Sequence, residues 1–187
     1  VEWFASNSSW YRGGHCMAGI AFLLFYFPFY AGFCERLRLA EGTTPIWTRV
    51  TWAGAILSPA VGSIAGTFIN RLALLGENVP AETVSFGIAA NFYAYSVSGA
   101  FGGVAMASSA VVILSSGIFP KWLGLTGLVT GFAAILSTGF LFEGNPAGFF
   151  PALNGIAWLV YFLWIAALSV QMIRIPVAEK NLVPNAV

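Results

Sequence analysis

The sequence predicts an all-α fold: a polytopic bundle of about five transmembrane helices, with the N-terminus outside and the C-terminus inside. Three observations predict it. The 187 residues are 58% hydrophobic and only 8% charged, where a soluble domain carries about 25% charge, and the mean hydropathy is +0.81. Apolar runs of spanning length recur along the chain, separated by short loops rich in Gly, Pro and charge. The lysines and arginines fall mainly on one side of the resulting topology. A spanning helix takes roughly 20 apolar residues, so about five of them occupy the chain and leave residues 1–187 as one membrane domain.

Residues 1–13 read as polar and aromatic, with Trp3, Trp10, Tyr11 and Arg12. The first span is expected over 15–34, ending at Glu35-Arg36-Leu37-Arg38. A loop with Gly42 and Pro45 leads to the second span, 49–71, and Gly76 to Pro80 separate it from the third. Residues 81–117 are apolar throughout, longer than one straight crossing needs. The expectation is a short interfacial stretch over 81–90 and a span over 91–118. Pro120-Lys121 makes a tight turn into the fourth span, 121–142. Glu143 to Pro146 lead to the fifth, 150–174, which Pro176 stops. With the N-terminus outside, the inner side holds six cations (Arg36, Arg38, Arg49, Lys121, Arg174, Lys180) and the outer side two (Arg12, Arg71).

Lipid tails are as apolar as leucine, so the helices must associate by close packing. The second span offers Gly54, Ser58, Gly62 and Gly66 at every fourth position, one above another on one face. The third offers Gly99, Gly103 and Ala107, and the fourth Gly124, Gly127 and Gly131. Pro28 and Pro59 lie within spans, and each frees a backbone carbonyl for water or a partner.

A net charge of +1 with no basic run gives nucleic acid no purchase, and the absence of Asp removes the commonest carboxylate of hydrolytic sites. No span carries a charge near its middle, where proton relays and ion pathways usually need one. Polar groups collect instead at the outer ends: His15, Cys16, Asn70, Arg71, Asn91, Glu143, Asn145 and Asn154. His, Cys and Glu can ligate metals, but their spacing matches no metal motif, and an Arg71–Glu143 ion pair or plain solvation explains them better. No cofactor is expected on this evidence, although Phe25-Tyr26-Phe27-Pro28-Phe29-Tyr30 is a ring-rich run that could hold a quinone, carotenoid or sterol. Cys16 and Cys34 are separated by about 27 Å of helix and cannot pair.

Several segments carry a resemblance. Met17-Ala18-Gly19-Ile20-Ala21-Phe22, Glu35-Arg36-Leu37-Arg38, Ala40-Glu41-Gly42, Ser116 to Gly124 and Met172-Ile173-Arg174 together resemble a family of small multispan bacterial membrane proteins, common in actinobacteria, known only as a domain of unknown function. The resemblance covers roughly 3–174 and implies a bacterial plasma-membrane location and one further span before residues 1–13. It implies no catalytic residue. The sequence therefore points to a non-enzymatic accessory or structural subunit, with the lipid bilayer and other membrane subunits as partners. The rivals are a transporter or channel for a small neutral or lipid-like molecule, and a membrane enzyme or cofactor-binding protein using His15, Cys16 or Glu143.

Overall fold

The computed structural model describes residues 8–75, 79–145 and 148–174, and no strand occurs among them. Among the described residues five helices are long and apolar enough to cross a membrane: Cys16–Glu41, Ile46–Leu75, Ala81–Ser116, Lys121–Phe142 and Phe149–Arg174. They correspond to the five predicted spans, and the differences lie at their ends.

The first span is helical from Ser8. It begins as α1 (Ser8–Ala21), widens into one π turn (Phe22–Tyr26) and continues as α2 (Phe27–Glu41). Pro28 accounts for the widening. It has no N–H for the carbonyl four residues back, and the chain before it relaxes to a turn in which the Phe27 N–H reaches the Phe22 carbonyl. The span does not stop near Cys34 as expected. Glu35 and Arg38 pair at 2.7 Å on an exposed face, so the charges ride on a continuing helix. The stop is Gly42, whose φ of +93° suits glycine alone, with its N–H on the Arg38 carbonyl.

The next helix, α3 (Ile46–Leu75), is started by a side chain from the previous one. The Glu41 carboxylate accepts the Trp47 and Thr48 N–H groups and the Thr48 hydroxyl at 2.7–2.8 Å. An anion there satisfies orphan donors and complements the helix dipole.

The boundary expected near residue 91 is not a break in the helix: residues 81–116 form the single 36-residue helix α4 (Ala81–Ser116). Nothing between Pro80 and Gly117 breaks it. Leu72 of α3 also packs onto Gly87, where an added Cβ would lie 2.7 Å from the leucine Cδ1. The 81–90 segment therefore rests on a neighbouring helix. Gly117 (φ +70°) ends α4. Then α5 (Lys121–Leu136), a 3-10 turn (Ser137–Gly139) and α6 (Phe140–Glu143) make the fourth span, and α7 (Phe149–Arg174) the fifth.

The small-residue faces meet backbone to backbone. A Cβ on Gly54 would stand 2.6 Å from the Phe101 carbonyl oxygen and 2.9 Å from the Ala105 nitrogen. A Cβ on Gly103 would stand 2.5 Å from the Gly131 oxygen, and one on Gly131 2.6 Å from the Gly103 oxygen. So α4 is the central post, with α3 and α5 pressed against it, and Gly66 is buried on α3. The α3–α4 seam is also hydrogen-bonded: Thr51 and Ser108 hydroxyls lie 2.8 Å apart, and Ser98 donates to the Ser58 carbonyl at 2.6 Å. Between α2, α5 and α7 the filling is aromatic. Phe33 packs edge-on to Trp164, whose indole N–H donates to the Leu123 carbonyl at 2.8 Å. Arg36 donates to the Met172 carbonyl at 2.7 Å, tying the first span to the last turns of α7.

Candidate functional site

Three features concentrate the chemistry that a helical bundle can offer: a chain of buried phenols, a small cavity with two polar atoms, and an apolar groove.

The phenols come from the ring-rich run. Tyr26 and Tyr30 are four residues apart and share one face, which turns inward. Their hydroxyls lie 2.8 and 2.9 Å from that of Tyr161 on α7. Tyr26 also donates to the Ala55 carbonyl at 3.1 Å. Each phenol has one proton, and this fixes the order. Tyr26 spends its proton on Ala55, so Tyr161 must donate to Tyr26, and Tyr30 to Tyr161. The terminal acceptor is not arbitrary. Ala55 is four residues before Pro59, and its carbonyl is the one that the proline leaves without a helical donor. A kink in α3 is thus satisfied from the first span, and the chain joins three of the five spanning helices.

The cavity lies between α4, the end of α5 and α7. Its volume is about 10 Å³, and Gly99, Gly102, Gly103, Met106, Ala134, Asn154, Ala157, Trp158 and Tyr161 line it. Asn154 is 9% exposed, and its Oδ1 and the Trp158 Nε1 are both buried without a protein hydrogen-bond partner.

The groove is larger, about 400 Å³, and runs between the first span and α7. Ala18, Ala21, Phe22, Phe25, Tyr26 and Phe29 form one wall, and Phe162, Ile165 and Ser169 the other. Neither lining contains a carboxylate, imidazole, amine or thiol.

The polar residues expected at the outer ends are dispersed. Asn70 on α3 and Asn91 on α4 stand at a common level, because Leu72 meets Gly87 and Gly62 meets Ser98 along the same antiparallel seam. Both of their Oδ1 atoms are buried without a protein partner. Asn154 belongs to the cavity instead, opposite Gly99 and about 12 Å of helix rise from Asn91. Arg71 and Cys16 are exposed. The side chains of His15 and Glu143 lie outside the described residues, and with them the Arg71–Glu143 pair. Among the described residues no three of His, Cys, Asp and Glu gather. Of the glycines read as packing positions, Gly54, Gly103 and Gly131 meet backbone, Gly62 and Gly127 meet the side chains of Ser98 and Trp164, and Gly99 meets Asn154. The tyrosine chain was missed in the sequence. Its signals were the i, i+4 spacing of Tyr26 and Tyr30 and the carbonyl freed by Pro59; nothing local marked Tyr161.

No family model matches the chain, and no curated protein or solved structure is similar to it. The family resemblance rests on the residues quoted for it and on nothing else.

Proposed function

We propose that this chain is a non-catalytic membrane protein that packs laterally against another transmembrane protein, as an accessory or structural subunit. The groove between the first span and α7 carries this reading. It is a long apolar notch within the membrane-spanning part of the fold, flanked by Phe25 at 72% and Leu24 at 61% exposure. The first span buries less of itself than any of the other four. By contrast, the α3–α4 and α4–α5 seams close by backbone contact, which supports a scaffold more than a conduit through the centre. Gentle extraction from native membranes and native mass spectrometry test the proposal. The expected result is a stoichiometric protein partner, lost when Ala21→Trp fills the groove. A chain that travels alone from native membranes overturns it.

A second reading has an observation of its own. Four rings of the first span's wall face Phe162 across the groove, a lining suited to an isoprenoid or other lipid-like molecule. The same mass spectra decide: a bound small molecule released by Ala21→Trp, with no protein partner, supports ligand binding.

A further inference from the structure

We infer that Gly99, Asn154 and Trp158 form a binding site for one internal water molecule, set between α4 and α7. The site is built from two kinds of orphan. Asn154 Oδ1 is an acceptor and Trp158 Nε1–H a donor, and both are buried without a protein partner. They sit four residues apart on α7 and so project from one face. Both converge on the same point. The position that a Cβ of Gly99 would take is 2.6 Å from Asn154 Oδ1 and 3.5 Å from Trp158 Nε1. The two atoms are therefore at most about 6 Å apart, the span of two hydrogen bonds laid end to end. One oxygen between them accepts from the indole and donates to the amide, so that each orphan gains the partner its chemistry requires.

Size selects the ligand. The cavity these residues line is about 10 Å³, close to the room that a single water needs, and too little for an organic molecule. Met106, Ala134 and Ala157 are apolar walls, and the hydroxyl of Tyr161, which also lines the cavity, is engaged with Tyr26 and Tyr30, so the water is directed to the two orphan atoms. This gives Gly99 a different role from Gly54, Gly103 and Gly131. Those three lack side chains so that backbones can touch, whereas Gly99 lacks one so that the Asn154 amide, and the water it holds, can lie beside it.

Indole ¹⁵N–¹H spectra of tryptophan-labelled protein in lipid nanodiscs test this, with the Trp158 resonance assigned by its loss in Trp158→Phe. The expected result is a cross-peak between the Trp158 indole proton and a long-lived water. Gly99→Ala, which puts a methyl group into the site, should abolish it, and Asn154→Leu should weaken or abolish it. An indole proton with no water cross-peak in the native protein overturns the inference without recourse to any variant. So does a cross-peak that survives Gly99→Ala in a folded protein.

Discussion

At the residue scale, the bond between Tyr26 and Ala55 can be traced to a single proline. It exists because Pro59 leaves that carbonyl without a donor, and it therefore couples two positions on different helices. Tyr26→Phe removes the bond and leaves both the Ala55 carbonyl and the Tyr161 hydroxyl short of a partner. A cost of about 1 kcal/mol is expected, since hydrogen bonds within membranes average well below the upper end of the range in water. Tyr30→Phe, at the head of the chain, should cost less, because Tyr161 still donates to Tyr26. Pro59→Ala restores an N–H four residues after Ala55. In the native background it competes with Tyr26 and gains little. In the Tyr26→Phe background it supplies the missing donor and should recover most of the loss. Thermal unfolding of the four proteins in detergent measures this cycle, and additive effects of the two substitutions would refute the coupling. From sequence, Pro59 and its consequence for one carbonyl were legible. The donor was not, because nothing in a linear pattern says which of many tyrosines a neighbouring helix will present.

At the scale of elements, the glycines separate into those that press helices together and those that do not. A Cβ at Gly131 meets the Gly103 oxygen at 2.6 Å and the Ala107 nitrogen at 2.9 Å. Neither atom can move without the α4 backbone moving with it. Gly131→Ala should therefore destabilise by about 1–3 kcal/mol, the usual range for overpacking. Gly155 has open space where its Cβ would be, and Gly155→Ala should be neutral or stabilising by up to about 1 kcal/mol through helix propensity. Unfolding midpoints in one detergent compare them directly, and equal effects would show that the α4–α5 seam is looser than its geometry. The four-residue recurrence of small residues made these faces legible in advance. What it could not distinguish is a glycine facing a backbone from Gly99, which faces an amide. The single helix over 81–116 was also not legible. Its length exceeds a bilayer crossing, and the excess stays helical because no breaker interrupts it and Leu72 packs on Gly87.

For the whole molecule, composition and the spacing of breakers carried the fold class and the count of spans, because lipid forces every backbone group into helical bonds and leaves few alternatives. The lateral groove was not legible, because it depends on how far the first span leans from α7, which no periodicity records. Orientation rests on a separate argument, the six-to-two partition of cations, and the two cysteines make it testable. Cys16 is exposed near the beginning of the first span, while Cys34 is buried toward its other end. A membrane-impermeant maleimide added to intact bacteria that express the chain should modify Cys16 and spare Cys34. Labelling should persist in Cys34→Ser and vanish in Cys16→Ser. Labelling of Cys16 only after the membrane is opened would place the N-terminal end inside. It would also put the cation-rich ends of the helices, including Arg36 and its bond to the Met172 carbonyl, on the outer face.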